Sequence, residues 1–126
     1  MTFVIQFLYQ SDKEDTNMTF AEELAKNSRN HPSKVQAIAT EAARWFRSDC
    51  EYASKKGKFE CSCLASGYGA YGSYDFCFNY EFCNSVIAAL RKELENDGYR
   101  SLTIEREAQY KGRSFEGYAI RMKASW

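Results

Sequence analysis

The chain has 126 residues, 44% of them hydrophobic and 16% aromatic, and its 17 Lys and Arg are balanced by 17 Asp and Glu. This composition argues against a disordered chain and, as whole-surface strategies, against a basic nucleic-acid binder and an acidic DNA mimic. Residues 1–126 are expected to form one domain around a single core.

The first predicted element is a strand over residues 2–10, which are rich in β-branched and aromatic side chains. Because these residues lack the basic start and small-residue cleavage site of a secretion signal, and no apolar run is long enough to cross a bilayer, we expect a cytoplasmic protein. A polar loop at residues 11–17 follows. Thr19 and Glu22 have the spacing of a capping box, which predicts a short helix over residues 20–27.

A long helix is predicted to begin at the cap residue Ser33 and to stop at Gly57, because apolar residues between them recur every three or four positions. Residues 58–65 and 74–80 alternate in hydrophobicity, which predicts a β-hairpin around a glycine-rich loop.

The period becomes helical again from Phe82 to the Asn-Asp-Gly sequence at residues 96–98, and two last strands are expected around residues 99–107 and 115–126. On the second of these strands, alternate residues from Tyr118 to Trp126 should share one face. The predicted fold is α+β, a mostly antiparallel sheet of about five strands with two long helices packed on one face.

Five cysteines without a secretion signal indicate a reducing compartment, where disulfides are rare. Cys61 and Cys63 leave the same face of a predicted strand, and Cys77 on the opposite strand of the hairpin can lie beside them. Cys83 would complete a structural zinc site, with Cys50 as the alternate fourth ligand because it is level with Cys61. Two other interpretations stay open: small buried apolar thiols, or a redox or nucleophilic cysteine.

Catalytic chemistry has little support in the sequence. His31 is the single histidine and stands in a polar loop, where an exposed, non-catalytic role is the simpler interpretation. The acidic residues form no recognisable catalytic pair, and the glycine-rich loop fits neither a dinucleotide nor a P-loop fingerprint. We therefore expect a protein that is not an enzyme.

The candidate binding residues are two tyrosines between glycines and a basic cluster on the long helix. Tyrosine serves as an anchor in protein interfaces and as a stacking platform for bases. The candidate partner-binding residues are Tyr68, Tyr71, Arg44, Arg47, Lys55 and Lys56.

The segment LRKELENDGYRSLTIERE, the basic turn after it and the terminal YAIRMKASW form a helix, a glycine stop and a strand pair that ends in tryptophan. This pattern resembles small phage-encoded proteins, a type that includes the anti-CRISPR inhibitors. The resemblance implies an inhibitor that binds a host defence protein such as a Cas9-type effector, and it assigns no role to any residue. The balanced charge departs from the acidic DNA mimics in that group.

The leading hypothesis is therefore a protein-binding inhibitor that acts through its surface, with a structural zinc ion. The alternative is a small nucleic-acid-binding protein that uses aromatic and basic surface residues.

Overall fold

A computed structural model of the protein describes residues 19–66 and 77–126. The elements of these residues are α1 (Phe20–Arg29), α2 (Val35–Lys55), β1 (Glu60–Ala65), α3 (Tyr80–Leu94), β2 (Ser101–Lys111) and β3 (Ser114–Ser125). The α+β class is confirmed. Within the described ranges the protein has three helices, one short and two longer, and three strands, so the expected count of about five strands is not matched exactly.

All three strands are antiparallel, in the order β1-β3-β2. The central strand β3 turns Ile120, Met122 and Ala124 into the core, with Tyr118 and Trp126 half-buried around it. This confirms the face predicted for the last strand.

Among the described residues β1 pairs with β3, and residues 74–76 of the second strand predicted for the hairpin lie outside the described ranges. Phe78 makes only an isolated bridge to Tyr118. Asn79 then accepts a hydrogen bond from the backbone N–H of Phe82 at 2.8 Å, and this cap begins a helix at Tyr80. The predicted strand at 2–10, the loop at 11–17 and most of the loop at 66–73 lie outside the described residues.

Local sequence signals place most helix ends. Thr19 and Glu22 form the predicted capping box at α1. The chain reverses after α2 at Gly57, which has φ 82°, and the N–H groups of Gly57 and Lys58 close back onto Ser54 and Ala53 as in a Schellman motif.

The start of α2 differs from the prediction. Pro32–Lys34 form a 3-10 turn, so α2 begins at Val35 and Ser33 does not cap it. The His31 ring instead accepts a hydrogen bond from the backbone N–H of Ser33.

The core lies between the helix pair α2 and α3 and one face of the sheet. Its largest fully buried side chains include Phe46, Leu90, Leu94, Ile120 and Met122. No helix in the described ranges is long and apolar enough to span a membrane.

Candidate functional site

The hairpin of β2 and β3 extends beyond the helix that covers it. The start of α3 is level with Tyr118, because the Tyr80 and Tyr118 rings are in contact and Phe78 bridges to Tyr118. Every residue from 110 to 116 is exposed. The face of the sheet that is buried under α3 therefore continues into solvent at the hairpin end.

Aromatic rings occupy this uncovered end. Tyr118 contacts Tyr80 and Phe115 with centroid separations of 5.6 and 5.2 Å, and Phe115 contacts Tyr110 at 5.6 Å, all close to edge-on. Such edge-to-face pairs stabilise one another beyond the area they bury, by about 0.5–1.5 kcal/mol each.

Arg106 joins this row of rings. Its guanidinium carbon lies 4.2 Å from the Tyr80 centroid and 5.7 Å from that of Tyr118, and it donates a hydrogen bond to the Asn84 side chain. We call the five residues Tyr80, Arg106, Tyr110, Phe115 and Tyr118 the aromatic patch.

The rings stay accessible although they contact one another. Tyr80 is 50% exposed, Tyr110 65% and Phe115 50%. A cluster of large, ordered rings with an arginine is the composition found at the centres of protein interfaces, because such side chains bury much area at little entropic cost. The patch therefore has the composition and the exposure of an interface centre.

The described residues that were predicted to bind a partner are not part of the aromatic patch. Tyr68 and Tyr71 fall outside the described residues. Arg44 pairs with Glu41 at 2.9 Å, Lys55 lies 3.9 Å from Glu51, and Lys56 lies 4.6 Å from the ring centroid of Tyr52.

Arg47 has a structural role. Its Nε and Nη2 donate to the two carboxylate oxygens of Asp97 at 2.8 and 3.0 Å, and Nη2 also donates to the Glu93 carbonyl at 2.7 Å. These bonds tie α2 to the C-terminal end of α3. The hydrogen bond from Arg47 holds the pKa of the Asp97 carboxyl below its usual range.

A second group of reactive side chains lies between α2 and β1. The Cys61 and Cys63 sulfurs are 3.8 Å apart, and the Cys63 thiol donates to Asp49 Oδ2 at 2.9 Å. Cys50 adjoins Cys61 from the helix side. We call Asp49, Cys50, Cys61 and Cys63 the thiol cluster.

Two thiols of this cluster, Cys50 and Cys63, have raised pKa values that keep them protonated near neutral pH. Burial, reinforced by the neighbouring Cys61, raises the pKa of Cys50 to about 12. Burial and the hydrogen bond to Asp49 also raise the pKa of Cys63. A nucleophilic role needs a thiolate, so these shifts disfavour catalysis by either group.

Cys77 and Cys83 do not join the cluster. Cys77 packs beside Gly117, and the Cys83 sulfur lies 3.9 Å from the Ala119 carbonyl, whereas Cys63 is opposite Met122. The five positions from Gly117 to Met122 span about 17 Å of strand. Because β1 pairs with β3, the expected set of Cys61, Cys63, Cys77 and Cys83 is not assembled, and the alternate ligand Cys50 is the one beside Cys61.

No three His, Cys, Asp or Glu side chains within residues 19–66 and 77–126 already stand in a metal-ligating arrangement. His31 is exposed and hydrogen-bonds to the hydroxyl of Ser33 at 2.9 Å.

Sequence reasoning missed the aromatic patch and Asp49. Tyr110 and Phe115 flank the predicted turn at Lys111. Residues that flank a tight turn lie across from each other in a hairpin, so the contact between these two rings could have been predicted. That α3 covers only part of the hairpin is a tertiary property with no local signal.

No protein-family model, curated protein or solved structure matches this chain.

Proposed function

We propose that this protein is a binding module, not an enzyme, and that the aromatic patch makes the contact with a partner protein. The observation that carries the proposal is the continuation of the sheet's buried face into solvent as an ordered row of rings. Folded monomers rarely expose such a row without a binding role.

Charge favours a protein as the partner. The residues next to the rings carry both signs, with Lys111 and Arg113 in the turn and Glu81 and Glu116 beside Tyr80 and Phe115. A mixed polar rim around an aromatic centre is the usual anatomy of a protein interface. The balanced net charge gives no general attraction to phosphate.

The resemblance to anti-CRISPR proteins supplies the partner class, a Cas effector of the Cas9 type. In this proposal the patch docks on the effector and inhibits it by covering a functional surface. The charge balance supports inhibition by surface complementarity rather than by imitation of DNA.

The test measures affinity for Cas effectors, with and without guide RNA, for the full chain and its variants. Phe115→Ala and Tyr110→Ala should each weaken binding about 30-fold, the effect of losing about 2 kcal/mol at an interface centre. Tyr52→Ala is the matched control, because Tyr52 on α2 is 63% exposed, close to the 65% of Tyr110.

Equal losses of affinity for Tyr52→Ala and Tyr110→Ala would show that the aromatic patch is not the binding surface. Failure of the unaltered protein to bind any effector would remove the partner class. Thermal unfolding of each variant establishes that a loss of binding is not a loss of folding.

One observation favours the alternative function, binding of single-stranded nucleic acid. Arg106 lies over the tyrosine rings, and Lys111 and Arg113 adjoin them, which together resemble a base-stacking platform with phosphate contacts. Anisotropy of a labelled oligonucleotide should then rise with added protein and fall steeply with salt. No binding at low salt would eliminate this alternative.

A further inference from the structure

The thiol cluster forms because the chain reverses at Gly57. The Schellman turn sends β1 back along the last turns of α2, so that Asp49 and Cys50 on the helix are level with the two cysteines of the strand. The Cys61 and Cys63 sulfurs and the Asp49 carboxylate thus come into contact across two elements that are adjacent in sequence, and Cys50 adjoins Cys61.

The sulfur separation suits a metal ion better than a disulfide. Two sulfurs that each lie about 2.3 Å from a tetrahedral zinc ion are about 3.8 Å apart, and the Cys61 and Cys63 sulfurs are 3.8 Å apart. Alternate residues of a strand have Cα atoms about 7 Å apart, beyond the usual range of up to about 6.8 Å for a disulfide.

The surroundings also suit a structural ion. Cys50 is only 7% exposed, whereas Cys61 and Cys63 are half-buried, so an ion there would be shielded yet reachable. Tyr99 packs against the core cluster that includes Cys50, which places a side chain with a hydroxyl group near one ligand, as is common around metal sites.

We propose that Cys50, Cys61 and Cys63, with Asp49 as the fourth ligand, bind one thiophilic divalent cation of the zinc class. On binding, the three thiols release their protons to solvent and the sulfurs bond to the ion. Asp49 exchanges its hydrogen bond from Cys63 for a bond to the same ion. The proposed metal site is independent of the proposed function, because the two lie far apart. Cys61 pairs with Ala124 on β3, and Phe115 lies nine residues, about 30 Å, from Ala124 along that strand.

The test is a Co²⁺ titration of the reduced, metal-free full chain, followed by displacement with Zn²⁺. We expect one ion per chain, a near-ultraviolet charge-transfer band from cobalt–thiolate bonds, and a melting temperature that rises with Zn²⁺ and falls back with a chelator. Cys61→Ser and Cys63→Ser should weaken binding at least about 10–100-fold, since even groups behind the ligands have effects of that size.

Two further variants separate ligation from folding. Cys77→Ser removes a thiol outside the cluster and should bind as the unaltered chain does. Asp49→Asn changes an exposed residue and should weaken binding while keeping the thiolate band. Metal-free melting temperatures identify any variant that fails to fold.

The proposal is overturned if no charge-transfer band appears, if Cys61→Ser and Cys63→Ser, folded as the unaltered chain is, bind Co²⁺ unchanged, or if Cys77→Ser loses the ion as they do.

Discussion

The two ends of the sheet's inner face differ in how much of it the helices cover. At the end near Cys61 and Cys63, α2 packs over β1 and the polar groups there are paired with one another. At the hairpin end, the sheet extends past Tyr80, the first residue of α3. The rings of Tyr110 and Phe115 are therefore exposed to solvent. The same alternating pattern of side chains thus produces a core at one end and a contact surface at the other.

This difference teaches that helix length, rather than strand composition, separates core from surface here. Tyr118 is half-buried under the start of α3, whereas Phe115, only three residues earlier on β3, is half-exposed. An apolar side chain stabilises the fold in proportion to the area it buries. The covered end should therefore control stability and the uncovered end binding.

The largest expected effect comes from a cavity under the helices. Leu90→Ala removes a fully buried side chain and should lower the free energy of unfolding by about 3–5 kcal/mol. Phe115→Ala at the uncovered end should cost about 1 kcal/mol or less. Urea unfolding of both variants measures the contrast, and equal losses would refute the division between the two ends.

The next effect concerns the boundary between the two ends. Gly117 has φ 124°, and an added Cβ would lie 2.8 Å from the Cys77 Cβ and 2.9 Å from the Phe78 carbonyl oxygen. Gly117→Ala should therefore cost about 2–3 kcal/mol, from backbone strain and the displacement of Phe78. Gly98→Ala is the control, because its φ of 79° is strained but nothing lies within 4 Å, so about 1–2 kcal/mol is expected. Similar unfolding midpoints for the two variants would show that the close approach at Gly117 is unimportant.

The smallest effect is electrostatic and belongs to the covered end. The lowered pKa of Asp97 means that its ion pair with Arg47 stabilises the folded state above the unfolded-state pKa of about 4. That contribution is lost as the pH falls through the lower folded-state value.

Asp97→Asn should lower stability at neutral pH by about 1 kcal/mol, since the pair is partly exposed, and should flatten the acid limb of the stability profile. Glu51→Gln, which changes a wider and more exposed pair with Lys55, should leave that limb unchanged. Unfolding curves at several acidic pH values distinguish the two, and an unaltered limb in Asp97→Asn would contradict the assignment.

Signals that act within a few residues predicted much of the fold. The capping box at Thr19 and Glu22, the stop at Gly57 and the buried face of β3 are all confirmed. Each depends on the geometry of one helix end or one strand, which the sequence encodes directly.

Long-range pairing was not predicted. The alternation around Phe78 resembles a strand, but the Asn79 side chain caps a helix that begins at Tyr80, two residues before Phe82, and this ends the extended segment. The pairing of β1 with β3 joins segments about 60 residues apart, a choice that no local pattern specifies. The candidate metal site shows the same difference between local and long-range signals. The position of Cys50 beside Cys61 could be predicted from the rise per residue of the helix and the strand, whereas the position of Cys77 depends on strand pairing.

The order of the strands has a consequence for synthesis. Among the described strands, β3 lies between β1 and β2 but follows both along the chain, so the ribosome releases β1 and β2 before the strand that joins them. Until β3 emerges, β1 and β2 each lack the strand with which they pair in the described sheet, and the nascent chain is most exposed to aggregation during this interval.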